Sequence, residues 1–210
     1  MSTGPTNDET DFDQLVRLAK TQREAFAALY DRYFPLVHRY CQRRLLNCAA
    51  ADDLSSEVFL HVAQSIRRFP GQTELDFRRW IYRITTNEIN AYFRKRLRRQ
   101  TLFERALRGG WWNDRTATPD SSTTNNTSGE ADTEEQTEIL LQALAALSPR
   151  EQSVITLRFW EGLSYEEVGH IVDARAATVR VIASRAIAAL REKLVGQQPS
   201  NTLPREGGGS

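Results

Sequence analysis

Arg83, Asn87, Asn90 and Arg94 are spaced four, three and four residues apart. In a helix turning about 100° per residue, that spacing puts the four side chains on one stripe. Guanidinium groups hold phosphates, carboxamides pair with base edges, and an aromatic ring such as the bordering Trp80 stacks on an unpaired base. The residue types therefore point to nucleic acid. The plainer alternative is a solvated outer face, but such faces usually mix acids with bases for mutual pairing. Residues 78 to 108 hold ten arginines and lysines against only Glu88 and Glu104. Phe77, Ile81, Ile84 and Tyr92 cluster on the opposite side, where Glu88 is an awkward neighbour.

A second group lies further along. Ser148-Pro149-Arg150-Glu151 combines a capping serine, a first-turn proline and a glutamate three residues on, the signature of a helix start. That helix is expected to run through Val154, Ile155 and Phe159 to a stop at Gly162, and Ser164-Tyr165-Glu166-Glu167 repeats the box for a short helix through Val168, Ile171 and Val172. A tight Asp-Ala-Arg turn follows. The last helix keeps Val179, Ala183, Ala186, Ile187, Leu190 and Leu194 on its buried side. Thr178, Arg180, Val181, Ser184 and Arg185, with Arg175 in the turn, are left outside. This is helix-turn-helix geometry, whose second helix enters the major groove of duplex DNA. A helical hairpin that only packs would not need its basic residues gathered there.

The elements that position these residues read as helical throughout. Phe26, Leu29, Tyr30, Tyr33, Val37, Tyr40, Cys41 and Leu45 recur at three and four residues, with Pro35 a bend point, and Leu54, Val58, Val62 and Ile66 form a second stripe behind Asp52 and Asp53. The Pro-Gly-Gln at 70–72 breaks it, and a third long helix follows from about Leu75. No run alternates as a half-exposed strand does. The fold expected is all-α: two small helical domains, 11–112 and 139–195, joined by a flexible acidic linker at 113–138 rich in Ser, Thr and Asn. Disordered ends are expected at 1–10 and 196–210. The 210 residues are 40% hydrophobic and 26% charged, enough for buried cores, and the net charge of +1 decides nothing about a polyanionic partner. No apolar run approaches the roughly 20 residues needed to span a bilayer, and the opening residues lack a secretory pattern, which implies a cytoplasmic protein. Cys41, Cys48 and His38 are too scattered to argue for a metal site, and no cofactor motif is present.

Taken in order, FAALYDRYFPLVHRYCQRRL, DDLSSEVFLHVAQSIRRF, FRRWIYRITTNEINAYFRKR, LSPREQSVITLRFWEGLSYEEVGHIV and TVRVIASRAIAALREKL resemble regions two and four of bacterial RNA polymerase sigma factors of the small extracytoplasmic-function class. The resemblance implies a non-enzymatic protein without cofactor or metal. It would bind core polymerase through the β′ clamp and β flap, direct it to promoters and help melt the minus-ten element. By that likeness Asp52, Asp53, Leu54, Glu57, Val58 and Phe59 grip the clamp. Trp80, Arg83, Asn87, Asn90 and Arg94, with Phe69 and Gln72 in the preceding loop, engage the minus-ten element. Arg175, Thr178, Arg180, Val181, Ser184 and Arg185 read the minus-thirty-five element as duplex.

Departures from the pattern bear on specificity and control. Thr86, Ala91 and Ile182 stand where arginine, aspartate and a basic residue are frequent, and Arg175 replaces a capping serine. Ala49 and Ala50 replace acids, which thins the charge facing polymerase, and Ser55 and Ser56 beside the gap suggest activation by a kinase. An anti-sigma factor is another regulator the family implies. Two rival classes remain open: a helix-turn-helix regulator that is not a polymerase subunit, and a site-specific recombinase, which would need a nucleophile in an arginine-lined pocket.

Overall fold

The computed structural model describes residues 7–108 and 143–196. The acidic stretch 113–138 and the tail beyond Gly196 lie outside them. Helix α1, Asn7–Leu18, begins within the stretch expected to be disordered. Helix α2, Arg23–Leu45, continues through Pro35 and ends at Leu46, whose left-handed backbone (φ 52°) lets its N–H reach the Gln42 carbonyl at 3.0 Å. Asn47 then caps α3, Cys48–Ser65, by accepting from the Ala50 N–H at 2.8 Å. This two-residue corner folds α3 back along α2.

A 3₁₀ turn at Ile66–Arg68 leads into a loop that is sewn down before α4, Glu74–Arg108, begins. The Thr73 hydroxyl accepts from the Asp76 N–H at 3.1 Å, and the Asp76 carboxylate accepts from the N–H groups of Gln72 and Thr73. Burial pushes the Asp76 carboxyl upward, but these hydrogen bonds outweigh it and leave the group below its ordinary value. At 35 residues and 1.5 Å per residue, α4 is about 52 Å long. Leu29, Tyr33 and Val37 of α2, Val58 and Val62 of α3, and Phe77 and Ile81 of α4 fill the first core.

The second block is built as its capping boxes dictate. In both, the serine hydroxyl accepts from the glutamate N–H and the glutamate carboxylate accepts from the serine N–H: Ser148 with Glu151 before α5, Pro149–Ile155, and Ser164 with Glu167 before α6, Tyr165–Val172. A π-helical turn at Thr156–Trp160 extends α5, and Gly162, at φ 69°, stops it as its type requires. Within this turn Phe159 faces solvent. Asp173 takes a left-handed backbone (φ 53°) between α6 and α7, Ala176–Gly196. Val179, Ala183, Ala186 and Leu190 are the buried side of α7, with Ile187 and Leu194 at its margin.

The two blocks are in contact. Helix α6 packs along α4, and one apolar cluster runs from the first block into Val154, Leu157, Leu163 and Val168 of the second. Nothing in the local patterns announces this contact.

Candidate nucleic-acid interface

Two faces of α4 are occupied. Phe77, Ile81 and Ile84 enter the first core, and Tyr82 turns toward the second block, where its hydroxyl donates to Glu161 Oε2 at 2.6 Å. The third face carries Arg83, Asn87 and Arg94, all exposed and unpaired among the described residues. Asn90 sits half-buried beside them, and its Oδ1 is buried without a partner. Glu88 sits at the margin of the apolar side, 3.3 Å from His61 Nδ1.

Trp80 and the loop before α4 form a single aromatic platform. Trp80 stacks on Phe69 at 4.6 Å between centroids, and Phe77 meets both rings. The Lys20 ammonium lies 5.3 Å from the Phe69 ring centre and donates to the Gly71 carbonyl at 2.7 Å. Gly71 is required here: a Cβ would fall 2.3 Å from Phe69 Cζ. Phe69 is buried, so it supports Trp80 from below and does not itself face outward. Gln72 is exposed at the tip of the loop.

The segment assigned to polymerase divides in two. Asp52, Asp53 and Glu57 are exposed, while Leu54, Val58 and Phe59 belong to the core, with Phe59 set edge-on to Tyr30 at 4.8 Å. The stripe of α3 already assigned Leu54 and Val58 inward. What the outer face offers beside the acids is Leu60, 60% exposed, and Tyr30, stacked on Phe34. Tyr30 was expected on the apolar stripe of α2 but is 37% exposed, and Leu60, given no role by the sequence, falls off the buried stripe of α3 and three residues from Glu57. Asp52 is tied to His38 Nε2 at 2.6 Å.

Ser55 is fully buried and donates to the Ala51 carbonyl at 2.6 Å, so α3 has no room for a phosphate there. That part of the kinase expectation is corrected; Ser56 is exposed. Cys41 is buried, with its thiol pushed up to about 11 by burial, and Cys48 is exposed. Among the described residues no group of three His, Cys, Asp or Glu side chains is placed to hold a metal ion.

In the second block Arg175, Thr178, Arg180, Val181, Ser184 and Arg185 are all exposed. Arg180 lies over the Tyr165 ring at 5.4 Å and donates to Glu166 at 3.3 Å, which aims it along the outer side of α7. The turn between α6 and α7 is tight because Gly169 lets the Ala174 carbonyl approach; a Cβ there would stand 2.5 Å from that oxygen. Short helix, tight turn and outward-facing second helix are thus in place.

The family models for sigma-70 region 2 and sigma-70 region 4 match residues 29–99 and 143–192. An ECF RNA polymerase sigma factor of Streptomyces coelicolor, BldN, is 30% identical over 190 residues, covering 90% of this chain and 67% of that protein. The chain belongs to the ECF sigma factors. SigW of Bacillus subtilis, another ECF sigma factor, is 25% identical across 86% of this chain and 95% of its own. Two solved structures share the fold. CnrH, in complex with the cytosolic domain of CnrY, has a TM-score of 0.64 at 17% identity over 89% of this chain and 98% of that one. The sigma factor RpoE of Bartonella quintana, in complex with the anti-sigma factor NepR, has a TM-score of 0.60 at 20% identity over 82% and 98%. As an ECF sigma factor the protein directs RNA polymerase to promoters, and the helix-turn-helix regulator acting without polymerase is not favoured. Among the described residues of the sigma factor, no helix is long and apolar enough to cross a membrane.

Proposed function

We propose that this sigma factor opens the minus-ten element with the outward face of α4 while α7 reads the minus-thirty-five element as duplex. Arg83 and Arg94 hold phosphates on either side of Asn87 and Asn90, and the Trp80–Phe69 platform takes a base that leaves the stack. Unstacking costs a few kcal/mol and each aromatic stack returns about 1–3 kcal/mol, so captured bases bias melting without any fuel. The exposed Asp53 and Glu57, with Leu60 beside them, supply an acidic and apolar surface for a basic helical partner, the role given to the polymerase clamp. In this reading the chain makes and breaks no covalent bond and works in the cytoplasm.

The observation that carries the proposal is the exposed, acid-free stripe of Arg83, Asn87 and Arg94 directly beyond Trp80 on one helix. A regulator using only α7 would leave that stripe idle. The test is reconstitution: the purified chain is added to core polymerase on a promoter library and transcript starts are sequenced. Initiation at one shared pair of elements supports the proposal, and starts indistinguishable from core polymerase alone reject it.

A further inference from the structure

Helix α1 is fixed by its own apolar side. Phe12, Val16 and Ala19 are buried in the first core, and α1 packs on both α2 and α4. Two polar residues beside that side reach further. Asp13 is half-buried, and its Oδ1 accepts from the Glu74 N–H at 2.6 Å. Lys20 is half-buried in the turn after α1, which the Thr21 and Gln22 N–H groups close on the Leu18 carbonyl, and its ammonium donates to the Gly71 carbonyl. Both residues lie ahead of the stretch matched to sigma-70 region 2, which begins at residue 29.

The two contacts fall on one short loop, entered at Phe69 and left at Glu74, the first residue of α4. Asp76 takes the N–H groups of Gln72 and Thr73 at 3.2 and 3.3 Å, and Arg32 and Tyr33 of α2 donate to the Glu74 carboxylate at 3.0 and 3.1 Å. Helices α2 and α4 thus secure the far half of the loop. The near half is held by Lys20, which bonds Gly71, the residue whose missing Cβ admits Phe69, and whose ammonium stands 5.3 Å from the centre of that ring.

These contacts contribute little to folding, because ordering a lysine side chain costs about as much conformational entropy as one half-exposed hydrogen bond returns. What they fix is position. Phe69 carries Trp80 at 4.6 Å, and a loop that shifts takes the phenyl ring out from beneath the indole. Gln72, exposed at the tip, shifts with it.

We propose that Asp13 and Lys20 are positioning residues for the minus-ten element: α1 braces the loop from outside, so that Phe69, Gln72 and Trp80 offer one preformed surface to an unstacked base. A surface held to one shape discriminates among bases, and a loose one accommodates them. The brace rests on the proposed role of α4 in promoter opening.

The test is transcription by the full-length chain with core polymerase on a library randomised across both promoter elements. Lys20→Met keeps the aliphatic stem and removes the ammonium, Asp13→Ala removes the acceptor, and Asp13→Asn keeps an acceptor oxygen. In Lys20→Met and Asp13→Ala the preference for the favoured base at one minus-ten position falls about tenfold, with polymerase affinity and the minus-thirty-five preference as in wild type. Asp13→Asn retains the wild-type profile. A chain that is merely less well folded loses initiation equally on every template and leaves the ratios alone, so a uniform loss overturns the brace. Selection of no minus-ten sequence by wild type would reject the promoter-opening role and the brace together, whereas selection by wild type with the same profile in both variants rejects the brace alone.

Discussion

Trp80 lies on Phe69 with ring centroids 4.6 Å apart and planes 26° from parallel. A loop residue before α4 is thereby made the floor beneath a helix residue, and in the proposed function the free side of the indole is the surface that takes an unstacked base. Trp80→Ala removes that surface. Open-complex formation, followed by permanganate reactivity of unpaired thymines, falls about ten- to hundredfold, as the loss of one base stack of 1–3 kcal/mol requires.

Gly71→Ala tests the same platform without touching an aromatic. The added Cβ meets Phe69 Cζ at 2.3 Å and Asp76 Cβ at 2.5 Å, so the loop must move. Thermal unfolding shows a loss of about 1–3 kcal/mol, as overpacking predicts. Melting of the minus-ten element drops with it, while binding of a minus-thirty-five duplex is retained.

Gly169→Ala separates the other half. Its Cβ would fall 2.5 Å from the Ala174 carbonyl oxygen, which is backbone and cannot rotate away. The angle between α6 and α7 opens, and binding of the isolated minus-thirty-five duplex, measured by fluorescence anisotropy, weakens at least tenfold. Gly162→Ala is strained for a different reason, its positive φ of 69°, with nothing within 4 Å to collide with, so its effect is confined to stability.

These two glycines mark where sequence reading works and where it stops. The stop at Gly162, both capping boxes and the outward set on α7 were legible because each depends on neighbours three or four residues away. The stripe Arg83, Asn87, Arg94 was legible for the same reason. Leu54, Val58 and Phe59 were carried over as surface residues from a family likeness, although two of them already lay on the buried stripe of α3. The Arg44–Gln152 and Arg43–Glu161 contacts join residues 108 and 118 positions apart, and no local period encodes such a pair. The placement of Leu60 outside follows from that same period.

Acid destabilises the chain through three carboxyls whose native values are depressed. In Glu151 the cause is the Ser148 hydroxyl, followed by the Ser148 N–H. In Glu167 burial pushes the other way and is outweighed by the Ser164 N–H and by Arg78, and Asp76 behaves alike with Thr73 and Gln72. Each binds its proton more readily in the unfolded chain. Their stabilisation is complete above the ordinary carboxyl values of 3.8 for Asp76 and 4.5 for the glutamates, and is lost as pH falls through the lower native ones. Thermal melts should therefore be level from pH 7 to 5.5 and fall progressively below pH 5. Glu151→Gln, which preserves the cap, should flatten part of that fall; an unchanged slope would assign it elsewhere.

In the proposed function the exposed side of α4 handles separated DNA strands. The most direct measurement is promoter melting by core polymerase carrying Arg83→Ala/Asn87→Ala/Arg94→Ala, read by permanganate footprinting beside a polymerase-binding assay. All three side chains are exposed and unpaired among the described residues, so the variant folds and binds polymerase as wild type does. At least a hundredfold loss of unpaired thymines at the minus-ten element is expected, with polymerase affinity unchanged. Melting at the wild-type level by that variant would contradict it.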